Sequence, residues 1–71
     1  MNVGNIIRKT REVYGMSISE LAKQSGVSAA KIKAQENDTA MLGVEDLLRV
    51  DRIFDHDVLW ELMGEYDSLT G

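Results

Sequence analysis

Apolar residues recur at three- and four-residue spacing along most of the chain, and five stretches carry that helical period. Val3, Ile6, Ile7, Thr10, Val13 and Tyr14 line one side of a first predicted helix, about Val3 to Tyr14. Arg8, Lys9 and Glu12 fill most of the other side, and Gly15 suits the C-terminal cap. Ser17 and Glu20 form a capping-box signature for a second helix, with Met16 and Leu21 at the flanking apolar staple positions. That helix spans 17–25 and ends at Gly26, which tolerates a positive φ. Ser28 caps a third helix, Ala29 to Glu36, anchored by Ile32. The turn-rich loop "NDTAMLG" covers residues 37–43, with Met41 and Leu42 expected to plug the core.

A fourth helix, about Val44 to Phe54, turns Leu47, Leu48, Val50, Ile53 and Phe54 to one side and places Glu45 and Asp46 in its first turn. Residues 55–57 break the pattern, with Asp55 or Asp57 as the next cap. A fifth helix covers about Val58 to Tyr66, and residues 68–71 are expected to fray. With no strand alternation, repeat or linker, the expected fold is all-α: a five-helix bundle forming one domain over residues 1–71.

Length and composition narrow the function classes. Seventy-one residues support one small core, with about 60% of the chain's surface buried on folding. There is no cysteine, so neither a disulfide nor a thiolate metal site is available. The apolar runs are too short to span a bilayer, and "MNVGNIIRKT" lacks the apolar stretch of a secretory leader. A soluble cytoplasmic protein without a membrane partner is the expectation. His56, flanked by Asp55 and Asp57, is the single histidine. Adjacent residues do not converge on one ion, so it reads as a loop histidine beside a helix cap. No nucleophile–base constellation or phosphate-cradling glycine loop can be assembled, so no enzyme, cofactor or small-molecule substrate is expected.

Charge changes the picture. The net charge is −4, but residues 1–35 hold six bases against two acids (+4), and residues 36–71 hold two bases against ten acids (−8). The net charge argues against nonspecific polyanion binding, but such asymmetry between the halves is itself a functional hint.

The middle of the chain carries the motif. Counting from Ile18 as position one, Ala22 stands at five, Gly26 at nine and Ile32 at fifteen. A small residue lets the third helix cross close over the second, the glycine makes the turn, and Leu21, Val27 and Ile32 anchor the pair. That is the helix-turn-helix spacing, whose second helix lies in the DNA major groove.

Over about residues 3–62 the chain resembles the Xre or Cro/CI class of phage and bacterial repressors. The likeness rests on "VGNIIRKTREVYGMS", "SELAKQSGVS", "KIKAQEN" and "LLRVDRIF". The resemblance implies a five-helix phage-repressor-like bundle and a structural ion pair between Arg11 and Glu36. It also implies operator-binding by a homodimer, with recognition helix 28–36 presenting Ser28, Ala29, Ala30, Lys31, Lys33, Ala34 and Asn37 to double-stranded DNA. "KIKAQEN" and "DVLWELMGEYD" are also similar to the N-terminal autorepressor domain of a phage anti-CRISPR family.

The chain departs from that pattern at several places. Base edges are read by side chains with donors or acceptors, whereas Ala29, Ala30 and Ala34 offer only a methyl group to thymine. Lys31 and Lys33 are left as guanine or phosphate contacts. Ile18 replaces a glutamine that often touches phosphate, and Gln35 and Asp51 stand where apolar residues are implied. Asp51 is either exposed by a shift of the fourth helix or paired with a basic neighbour. Trp60, Leu62, Met63 and Tyr66 exceed what one small core uses. Either Leu59 and Leu62 pack inward with Trp60 capping the core, or the four supply a dimer interface, where aromatics and methionine are enriched. The sequence therefore predicts a dimeric DNA-binding repressor or autorepressor. The rival is a protein-interaction module on the same scaffold, an antirepressor or inhibitor gripping a protein partner.

Overall fold

The computed structural model describes the backbone of residues 2–70 and the side chains of residues 2–64. Five helices follow in chain order: α1 (Val3–Val13), α2 (Ile18–Ser25), α3 (Ala29–Glu36), α4 (Val44–Ile53) and α5 (Asp57–Thr70). The described residues form no strand, and the fold is all-α. The first four helices lie within a residue of their predicted bounds. α5 runs four residues past the predicted end at Tyr66, because nothing between Tyr66 and Thr70 is a helix breaker. None of the helices is long and apolar enough to cross a membrane.

The core is drawn from every helix. Ile6 and Ile7 of α1, Leu21 of α2, Val27 of the turn, Ile32 of α3, Val50 of α4, Phe54 just beyond it and Val58 of α5 form one buried cluster. α2 packs on both α3 and α4, and α1 packs on both α3 and α5. α3 is thus gripped from two sides through Ile32, Gln35 and Glu36, leaving its other residues outward.

Two backbone approaches set α3 in place. A Cβ on Gly4 would lie 2.1 Å from the Gln35 carbonyl oxygen, so only glycine lets α1 come this close to the end of α3. Gln35, 3% exposed, directs its Oε1 to the Leu42 backbone N–H at 2.8 Å and ties the 37–43 loop to α3. That accounts for a polar side chain at a position where an aliphatic is implied. Leu42 packs against the core as expected, but Met41 does not: it is 81% exposed. Its neighbour fills the space beneath the loop, and the backbone turns Met41 outward.

Asp51 is fully buried, neither exposed nor on a shifted helix. Its Oδ1 accepts the Leu59 N–H at 2.9 Å, its Oδ2 lies 2.7 Å from His56 Nδ1, and its carbonyl accepts the His56 N–H. One aspartate of α4 therefore caps the start of α5 from outside the helix, a task the sequence suggested for Asp55 or Asp57. Asp55 and His56 take left-handed backbone conformations (φ 54° and 68°), so the corner needs such bracing. Asp57 instead accepts the Tyr14 hydroxyl at 2.9 Å, and Tyr14 also donates to the Phe54 carbonyl. Val13 and Leu48, both predicted on apolar faces, are exposed, because α1 and α4 present narrower inward stripes than their sequence periodicity suggests.

Candidate nucleic-acid interface

The capping box of α2 is formed: Ser17 Oγ accepts the Glu20 N–H at 3.1 Å, and Glu20 Oε1 accepts the Ser17 N–H at 3.4 Å. α2 ends at Gly26, whose φ of 79° turns the chain sharply; its N–H closes on the Ala22 carbonyl. Val27 is buried at once, and Ser28 opens α3 by accepting the Lys31 N–H on its Oγ at 3.2 Å. Cap, turn and buried anchors together fix the angle at which α3 leaves α2.

At about 100° per residue, Ile32, Gln35 and Glu36 define the inward side of α3, and Ala30 and Ala34 fall on the opposite side. Lys31 and Lys33 are about 160° apart around the helix, so they flank the alanine ridge instead of sharing a face. Ala29, Ala30, Lys31 and Lys33 are exposed and Ala34 is half-buried. Ser28 and Asn37, both exposed, stand at the two ends of α3. Below Ala34, the Thr39 hydroxyl and N–H both reach its carbonyl, winding the loop back under the helix. Ile18 packs against the core's edge and brings no polar group to the start of α2.

The two lysines are in different electrostatic states. Lys31 Nζ lies 3.4 Å from Asp46 Oδ2 on α4, and the other oxygen of Asp46 takes Arg49 at 2.9 Å. Lys33 has no ion-pair partner among the described residues. Glu36 at the end of α3 is paired with Arg11 of α1: Nε to Oε2 at 2.9 Å and Nη2 to Oε1 at 3.0 Å. The hydrogen bond to Glu36 raises the Arg11 guanidinium above the ordinary arginine value. The Tyr14 hydroxyl is likewise held above the ordinary phenol value, chiefly by its hydrogen bond to Asp57.

The chain is similar to three archaeal proteins that carry the description "Putative HTH-type transcriptional regulatory protein". It is 34% identical over 56 residues to one of Pyrococcus furiosus, covering 79% of this chain and 18% of that protein. It is 30% identical over 64 residues to one of Sulfolobus acidocaldarius, covering 90% and 21%. It is 33% identical over 55 residues to one of Thermococcus gammatolerans, covering 78% and 17%. The chain carries a helix-turn-helix. It spans about a fifth of the length of these relatives. No family model matches the chain, and no solved structure gives a significant match.

Around the helix-turn-helix, three residues that bear on α3 are not marked as positioning groups by the sequence. Gly4 sets the approach of α1 to α3, and a glycine inside a helical pattern was a usable signal for it. Asp46 pairs with Lys31 across 15 residues, and Gln35 holds the loop. Nothing in local sequence marks either contact. On α5, Trp60 and Met63 are 75% and 61% exposed, whereas Leu62 is half-buried against the core. Leu62 is thus a core residue first, which fits the period: it lies about 40° from buried Val58 on the helix wall and about 160° from exposed Trp60. The Tyr66 side chain lies outside the described residues.

Proposed function

We propose that this chain is the DNA-binding part of a transcriptional regulator, a dimeric repressor or autorepressor of the phage type, that lays α3 in the major groove of operator DNA. The observation that carries this reading is the outward face of α3: an alanine ridge of Ala30 and Ala34 flanked by Lys31 and Lys33. A ridge of methyl groups lets the helix sit deep in a groove about 12 Å wide and touch thymine methyls. Lysines on the two flanks meet phosphates on either side, which supplies most of the affinity. The Ser28 hydroxyl and the Asn37 amide at the ends add polar phosphate contacts that fix the register. The names of the archaeal relatives support its broader part, a helix-turn-helix transcriptional regulator.

Two-fold pairing through the exposed Trp60 and Met63 would place two copies of α3 in successive major grooves, about one helical turn apart. Most of the acidic second half, Asp46 beside Lys31 excepted, then faces away from the duplex and limits nonspecific binding.

The test is fluorescence anisotropy at several salt concentrations, on duplexes from the region upstream of the chain's own gene. Replacing Lys31 and Lys33 together with alanine is expected to weaken binding at least tenfold and to flatten the salt dependence by about two phosphate contacts. Equal affinity of the double variant and the parent would reject α3 as the DNA-contacting helix. Salt-insensitive behaviour towards every duplex, with a stable protein complex in its place, would favour the interaction-module reading.

A further inference from the structure

Lys31 and Lys33 flank the same ridge, yet only Lys31 is answered by an acid. Asp46 stands in the first turn of α4, 19% exposed, with one oxygen towards Lys31 and the other towards Arg49. Lys31 and Arg49 are themselves 65% and 55% exposed, so both cations border solvent while the carboxylate between them is recessed. Nothing in the packing demands an acid here. Asp46 lies outside the buried core, and Glu45 beside it already supplies negative charge to the start of α4.

We propose that Asp46 is a positioning residue that holds Lys31 and Arg49 in reserve and sets the DNA affinity of this flank of α3. The inference rests on the major-groove reading of α3. The carboxylate occupies the place beside the Lys31 ammonium that a phosphate oxygen takes on binding. A duplex must therefore displace it, and its own charge repels the incoming strand. Both effects act on every phosphate alike, whatever the base sequence. Asp46 thus lowers the affinity for every duplex by a similar factor, so that lasting occupancy needs the further contacts of a matching site, and it leaves Lys33 untouched. The chain keeps two cations at the groove wall without becoming a general polyanion binder.

The experiment uses the full chain and a short duplex of arbitrary sequence, so that no operator need be known. Asp46→Asn keeps the shape and removes the charge. It is expected to bind about three- to tenfold more tightly at low salt, with a salt slope steeper by about 0.9, the signature of one further phosphate contact. In a background carrying both Lys31→Gln and Arg49→Gln most of that gain should vanish, because both cations being released are gone. Circular dichroism and thermal melting confirm that each variant is folded; Asp46→Ser serves as the second uncharged variant if asparagine disturbs α4. Binding by parent and Asp46→Asn with the same affinity and slope overturns the inference and leaves the major-groove reading standing. A gain that persists in full in that double background overturns it too, since the acid would then act by repulsion alone. No salt-sensitive binding by either protein removes the major-groove reading, and this inference with it.

Discussion

Arg11 and Glu36 meet in a two-pronged ion pair that joins α1 to α3, and a third donor of the same guanidinium reaches the Met16 carbonyl at 2.8 Å. The pair therefore holds three things at once: the end of α1, the end of α3 and the lead into α2. The Glu36 side chain is 4% exposed and that of Arg11 15%. Removing one partner strands the other charge. Glu36→Ala is expected to cost about 3 kcal/mol in urea unfolding, and pairing it with Arg11→Met should recover part of the loss. A Glu36→Ala variant as stable as the parent would show that the pair contributes nothing to holding α3.

Asp51 replaces an apolar residue at the cost of burying a carboxylate, and its return is the cap of α5 and the bracing of a left-handed corner. Asp51→Leu leaves the Leu59 N–H without a partner and frees His56. A loss of about 2 kcal/mol is expected, with Asp51→Asn milder because it keeps the acceptor. Amide exchange should locate the damage in the first turn of α5. Uniform loss of protection across all five helices would argue against a local cap.

Gly4 has the tightest surroundings of the described glycines. Alanine there must push the Gln35 carbonyl aside, which moves α1 off α3. Gly4→Ala is expected to destabilise by about 2 kcal/mol or more, against the usual gain of alanine over glycine inside a helix. Because α1 positions α3, DNA binding should fall as well. A stabilised variant with full binding would mean that α1 can shift freely.

The Tyr14 hydroxyl donates to Asp57 and so favours its protonated form. The raised value carries a sign. The stabilisation is fully present below the ordinary phenol range and is lost as pH rises through the higher value of the folded state. Titration of tyrosine absorbance should therefore show one phenol ionising later than free tyrosine, and Asp57→Asn should bring it back down. Stability should decline on the alkaline side sooner in the parent than in Tyr14→Phe relative to each protein's neutral value. Identical titration of Tyr14 in parent and Asp57→Asn would contradict the latch.

Among the described side chains of α5, Trp60 and Met63 leave the largest apolar exposure, with Val13 of α1 exposed nearby and Trp60 lining the groove between the two helices. If these residues pair two copies, Trp60→Glu should give a monomer in sedimentation at concentrations where the parent is a dimer, with unchanged helical content. A parent that sediments as a monomer throughout would remove the dimer from the proposed function.

The sequence by itself determined the helices and the motif. Ser17 with Glu20, Ser28, Gly26 and the apolar periods act within a few residues, so their consequences are written locally. The same locality explains the helix bounds, and why the alanine ridge with its two lysines could be named before any coordinates. What only the tertiary structure decided depends on contacts between distant residues. Asp51 became a cap because α5 starts above it, and Gln35 a loop anchor because residue 42 returns to it. Gly4 became a contact point because α1 crosses α3, and Met41 was turned outward because Leu42 took the space beneath. Lys31 and Lys33 look equivalent along the chain, but Asp46 reaches only one of them. A polar side chain's role is set by which donor or charge the packed helices bring within about 3 Å of it, and one-dimensional spacing does not carry that distance.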